Sequence, residues 1–156
     1  MKTLRIALAC LLLAASGAAA AIKPPPGSSL RSAVDRHLAA IEARDLDALL
    51  ETVTRLPIMT TILPDGRVLK TREEYRKLHV AWFAERDWRM RFQVQDVMQY
   101  GDVGIARVKY DSQVRDKAGR YRSKRMALLS LTFRREDGAW RLVYDQNTVI
   151  PPTEKK

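Results

Sequence analysis

From Leu30 onward the apolar positions recur first at helical spacing and then at strand spacing. Leu30, Val34, Leu38 and Ile41 fall three or four residues apart, which predicts an amphipathic helix that Ser28 or Ser29 can cap. Leu46, Leu49, Leu50 and Val53 continue a stripe after Arg44, with Asp45 placed to cap a second, short helix. Leu56 to Leu63 and Arg67 to Leu69 flank Pro64-Asp65-Gly66, a turn in which proline presets φ and glycine accepts a positive φ. Thr71 and Glu74 then match a capping box. The helix it opens is predicted to run to about Arg86, with Tyr75, His79 and Trp82 on one face.

Beyond that helix the pattern alternates. Trp88, Met90, Phe92, Val94, Asp96 and Met98 share one face of a first strand, and Arg89, Arg91, Gln93 and Gln95 share the other. Ala106, Val108 and Tyr110 do so in a second, and Ala127, Leu129, Leu131 and Phe133 in a third. In the last, Trp140, Leu142, Tyr144, Gln146 and Thr148 share a face, which reads as the lining of a mostly apolar pocket with one amide and one hydroxyl. Gly101, Gly119 and Gly138 sit in the short gaps, so neighbours are expected to pair as antiparallel hairpins. Long antiparallel strands must curl to bury one face around helices. The predicted fold class is therefore α+β, a curved, mostly antiparallel sheet wrapped around N-terminal helices as a cone with one cavity. A single β-bulge would reverse the facing of every residue beyond it.

The N-terminus departs from this pattern. Met1 to Arg5 is a short positive region, Ile6 to Ala15 is apolar, and Ser16 to Ala21 is a small-residue tail. This is the arrangement of a secretory signal peptide, with cleavage after Ala20 or Ala21. The apolar run is well short of the ~20 residues that a membrane span needs, so no transmembrane segment is expected in the mature chain. A lipid anchor on Cys10 is the competing reading, for which Ala7 to Cys10 is a poor match. The expected organisation is a signal peptide over 1–21, a Pro/Gly/Ser linker over 22–29, one domain over 30–150 and a tail over 151–156. Removing the first 21 of 156 residues leaves 135, enough for one real core. The expected location is periplasmic or secreted. The sole cysteine leaves with the signal, which removes disulfide and thiol chemistry from the mature chain.

Charge adds a second candidate surface. The formal net charge is +10, and cleavage removes Lys2 and Arg5. Six of the basic residues, Arg115, Lys117, Arg120, Arg122, Lys124 and Arg125, cluster in one hairpin beside a single acid, Asp116. That hairpin reads either as a surface for anions, lipid headgroups or an acidic protein, or as a solvated hairpin whose charges blunt edge pairing. Export makes nucleic acid an unexpected partner.

Candidate chemistry is sparse. Asp96, on the apolar face of its strand, would have its pKa raised by desolvation and could shuttle protons; at the rim it would simply be solvated. Tyr110 and Tyr144, on inferred inward faces, could stabilise an oxyanion or could pack and hydrogen-bond locally. His79 reads as an acid or base, or as a semi-buried, hydrogen-bonded histidine. Asp145 and Asn147 fall by alternation on the opposite face. The expected pocket lining is Trp82, Trp88, Phe92, Val94, Val108, Tyr110, Leu129, Leu131, Tyr144 and Gln146. Two histidines, His37 and His79, and no mature cysteine argue against a zinc cluster. Neither a Gly-x-Ser-x-Gly elbow nor a phosphate-binding glycine loop occurs. No metal and no cofactor is expected.

The order of elements, with Ile62 to Val68 (ILPDGRV), His79 to Phe83 (HVAWF), Trp140 and Tyr144 to Thr148 (YDQNT), resembles the SnoaL-like branch of the nuclear transport factor 2-like superfamily over about Leu30 to Ile150. The resemblance implies the cone fold and a homodimer. Its members include ketosteroid isomerase, scytalone dehydratase and polyketide cyclases, together with binding and assembly domains without catalysis. Where relatives often carry a histidine six residues after the tryptophan, this chain has Gln146, which removes one general base. The leading expectation is a domain that binds a small apolar or aromatic molecule without catalysis. The alternatives are a cofactor-free isomerase, dehydratase or cyclase using a pocket carboxylate, and an interaction module that docks anionic surfaces through the basic hairpin.

Overall fold

The structure, a computed structural model, describes residues 28–152. The expected signal peptide, most of the linker and the end of the tail lie outside the described residues. Three helices precede and interrupt six strands: α1 (Leu30–Ala43), α2 (Leu46–Glu51), β1 (Ile58–Ile62), β2 (Val68–Thr71), α3 (Arg72–Ala84), β3 (Trp88–Tyr100), β4 (Val103–Arg115), β5 (Tyr121–Glu136) and β6 (Ala139–Ile150). The helix starts follow the predicted caps. The Ser29 side chain accepts from the Ser32 amide, and Asp45 accepts from the Ala48 amide. Thr71 and Glu74 complete a reciprocal capping box, satisfying amides that the first turn of α3 leaves without partners. Gly66 closes the β1–β2 turn at φ +85°, a region closed to most side chains.

One sheet holds all six strands in the order β2-β1-β6-β5-β4-β3. Every neighbouring pair is antiparallel except β1 and β6, which run parallel. The concave face packs on the helices. Val34, Leu49, Ala106, Val108, Leu131, Phe133 and Leu142 are fully buried there. Among the described residues, no helix is long and apolar enough to cross a membrane.

Bulges decide which side chains face inward. The register slips at Gln95 on β3, at Lys124 on β5 and at Val143 on β6, each strand carrying one residue without a partner. A bulge adds one residue to one strand only, so it inverts the alternation beyond it and sharpens the local bend. Two expected facings are thereby corrected. Asp96 pairs opposite Arg107 on the outer face, where the two side chains form an ion pair. Tyr144 and Gln146 turn outward, bonded to each other, while Asp145 and Asn147 turn inward opposite Leu131 and Leu129.

Candidate functional site

Between α3, the β1–β2 turn and the concave sheet lies a cavity of about 350 Å³. Trp82 and His79 descend from α3; Met90, Phe92, Tyr110 and Leu129 rise from the sheet; Thr61 and Leu63 come from β1 and the turn that follows it. Asp145 and Asn147 enter from β6. Paired rows of residues give the depth. Ser112 and Arg125 sit nearest the open end, Tyr110 and Ala127 follow, then Leu129 with Asn147, and last Leu131 with Asp145.

Asp145 is the polar centre. It is buried, and burial raises its pKa to about 7, because an ionised carboxylate has lost its water there. Its hydrogen-bond donor is neutral: Asn147 Nδ2 lies 3.3 Å from Oδ1. The same amide nitrogen donates to the Ile62 carbonyl at 3.0 Å, and the Tyr110 hydroxyl donates to Asn147 Oδ1 at 2.9 Å. Tyr110, Asn147 and Asp145 thus form a short relay along one wall. Burial raises the Tyr110 pKa, so its hydroxyl stays protonated.

His79 is neutral at ordinary pH. Its Nδ1 lies 2.8 Å from the Tyr75 carbonyl, which can only accept, so Nδ1 carries the proton and Nε2 is left as an acceptor. Burial lowers its pKa to about 4. Tyr75 and Phe83 flank it, and Trp82 stacks on Trp88 with ring centroids 4.4 Å apart. The Tyr75 hydroxyl and the Thr61 hydroxyl are buried without partners. His37 belongs to the core instead: it shares a 2.8 Å hydrogen bond with Thr52, and burial, then the nearby His79, lowers its pKa to about 3.

Of the pocket lining expected from the sequence, Trp82, Phe92, Tyr110 and Leu129 line the cavity. Val108 and Leu131 are buried beneath it, and Trp88 lies behind Trp82. Val94 borders a separate, shallower hollow beside α1. Tyr144 and Gln146 are on the outer face. Among the catalytic candidates, His79 and Tyr110 reach the cavity, while Asp96 and Tyr144 do not. Asp145 and Asn147 are the cavity residues that strict alternation places on the opposite face. The available signal was the junction of Leu142, Val143 and Tyr144, an apolar run that leaves room for a bulge.

The basic hairpin divides. Asp116 holds Arg120 and Arg122, and Arg115 pairs with Asp87. Lys124 and Arg125 instead line the mouth of the cavity.

The sequence profile of the SnoaL-like domain matches residues 30–150. No curated protein matches the chain. Among solved structures, a Thiobacillus denitrificans domain named for the calcium/calmodulin-dependent protein kinase type II association domain superposes with a TM-score of 0.69 at 22% identity, covering 81% of this chain and 99% of that one. An NTF2-like family member from Streptomyces avermitilis, provisionally named a dehydratase, gives 0.66 at 17% identity over 78% and 94%. A ketosteroid isomerase-like protein from Erwinia carotovora atroseptica gives 0.61 at 19% identity, again over 78% and 94%. At these identities the likeness is one of fold.

Proposed function

The chain belongs to the SnoaL-like domain family, and from that premise we propose that it binds a small, partly apolar molecule in the cavity and that Asp145 moves a proton on it. One observation carries the reading. A buried carboxyl group lines the cavity, bonded to an amide and to no cation. A purely structural carboxylate would be expected to have a cation or several amide donors, since burying a charge without them is costly. With a pKa of about 7 the group exists in both forms near neutrality, which suits a general acid–base.

The roles of the neighbours follow from their chemistry. Asp145 as carboxylate takes a proton from a carbon next to a carbonyl, and as carboxylic acid returns it to a neighbouring atom of the same molecule. Asn147 orients its carboxyl group. Neutral His79 offers Nε2 as an acceptor to a ligand hydroxyl and does not serve as an acid at pH 7. Trp82, Phe92 and Leu129 hold the apolar body. The N-terminal residues Met1 to Ala21 support export, so the same proposal places this chemistry in the periplasm or outside the cell. The proposal also includes a homodimer.

The test is exchange of α-protons of 2-tetralone, a small apolar ketone, in deuterated buffer near pH 7. The wild-type protein is expected to exchange them faster than buffer, and Asp145→Asn (D145N) to lose about 100-fold or more of that rate while still binding the ketone. Bound ketone with exchange no faster than buffer would leave a binding domain without proton transfer, and would sink the catalytic part.

A further inference from the structure

We propose that the molecule taken by the cavity is an anion, a small carboxylate with an apolar or aromatic body, and that Lys124 and Arg125 hold its charged end at the mouth. The proposal rests on the reading of the cavity as a ligand site and names the ligand's class.

The bulge on β5 is the first observation. Ser112 pairs with Arg125 and Gln113 with Ser123, so Lys124 is the extra residue. Bulges re-aim side chains at the ends of strands. This one follows Arg122, which pairs opposite Val114 and is held by Asp116, and brings two consecutive cations to the cavity wall. Without it, strict alternation would send one of the two to each face of the sheet.

Pairing is the second. Arg115, Arg120 and Arg122 have carboxylate partners in Asp87 and Asp116. Arg67, at the opposite lip, is held by Asp65 at 2.8 Å. Among the described residues no carboxylate lies in ion-pair range of Lys124 or Arg125. Besides Asp65, the acids on the lining are Glu85, which caps the end of α3, and the buried Asp145, and neither has an ion-pair partner among the described residues. Of the hairpin's three cations without a carboxylate partner, Lys117 sits exposed in the turn and the other two, Lys124 and Arg125, line the cavity.

Position is the third. Arg125 neighbours the Tyr110 hydroxyl, which begins the relay through Asn147 to Asp145. A carboxylate bound by Arg125 would lay its body along Phe92 and Leu129 and bring its far end to Asp145. An arginine gives a carboxylate two parallel donors, and the lysine adds a point charge. The rim therefore reads charge, the wall reads shape, and Asp145 meets an atom remote from the anion.

The test compares 2-naphthoate with 2-naphthamide, which share a ring system and differ in charge, by titration against the Trp82 fluorescence and by calorimetry. The naphthoate is expected to bind at least 10-fold more tightly, and to lose that margin in K124A/R125A and in raised salt. R120A/R122A, altering two cations of the same hairpin that Asp116 holds away from the cavity lining, is expected to keep the margin. Equal binding of both compounds, or a margin unchanged in K124A/R125A, overturns the anionic assignment and leaves the cavity reading standing. Binding of neither compound overturns both. A margin lost equally in R120A/R122A overturns it as well, because it would mean a general effect of net charge.

Discussion

At the scale of the residue, Asp145 ties stability to the proposed chemistry. Its folded pKa of about 7 lies above the ordinary aspartate value. A group raised in the folded state lets the unfolded chain ionise first as pH rises. Its contribution is complete below the unfolded pKa and is lost as pH climbs to about 7. D145N removes that cost while keeping a hydrogen-bonding side chain of the same shape. D145N is therefore expected to melt above the wild type at pH 8 and to converge with it near pH 4, read by calorimetry at both values. A D145N chain that melts below the wild type at pH 8 would mean that the carboxylate has a stabilising partner in the fold. Residue types alone put forward His79 and Tyr110, and the fold places both on the cavity lining. They could not rank Asp145 against Asp96, because both are aspartates amid alternating apolar neighbours, and an outer-face ion pair with Arg107 is invisible until strands are paired.

At the scale of the element, local rules acted where the sequence carries local chemistry. The α3 start is one such place. Thr71 accepts from the Glu74 amide at 3.1 Å, and Glu74 Oε2 lies 3.0 Å from the Thr71 amide. Replacing the cap removes a partner from an amide that the helix cannot satisfy itself. Thr71→Ala is expected to cost about 1 kcal/mol. For a domain of this size that is a fall of roughly 4 °C in melting temperature. Because α3 carries His79 and Trp82 into the cavity, the same variant should also weaken naphthoate binding. An unchanged melting temperature would mean that packing of Tyr75 and Phe83 alone fixes the start of the helix. The strands show the opposite case. Helix and strand identities followed from apolar spacing, yet single bulge residues at Gln95 and Val143 reversed the expected facing of the second parts of β3 and β6, and one at Lys124 altered the start of β5.

At the scale of the molecule, the two histidines and Asp145 set opposed responses to acid. His37 and His79 have folded pKa values of about 3 and about 4, below the ordinary 6.5. The unfolded chain therefore takes up their protons first as pH falls below about 6.5, and stability drops. Asp145 offsets one of the two, since folded Asp145 takes up its proton before the unfolded chain does. The net excess of about one proton in the unfolded state corresponds to about 1 kcal/mol lost per pH unit between about pH 6 and pH 5 from these three groups. D145N should steepen that loss, close to doubling it. Denaturant titrations at pH 7, 6 and 5 check both slopes. A wild-type stability that is flat over this range would show that one histidine protonates within the folded state, which for His79 would require an acceptor beyond the Tyr75 carbonyl.

The sequence by itself determined the class of fold. Apolar spacing of 3.6 and of 2, caps at Ser29, Asp45 and Thr71, and glycines in the gaps are local signals, and each is satisfied within a few residues of where it is written. It also determined that the cavity wall would be built from Phe92, Tyr110 and Leu129, which precede the bulges or lie clear of them. The tertiary structure alone decided which carboxylate the cavity contains and which cations guard it. Both depend on the pairing of distant strands: one unpaired residue on β6 turns Asp145 in, and one on β5 adds Lys124 to Arg125 at the mouth. A bulge is chosen by the curvature that the sheet needs to close over its helices, and that is a property of all the strands together.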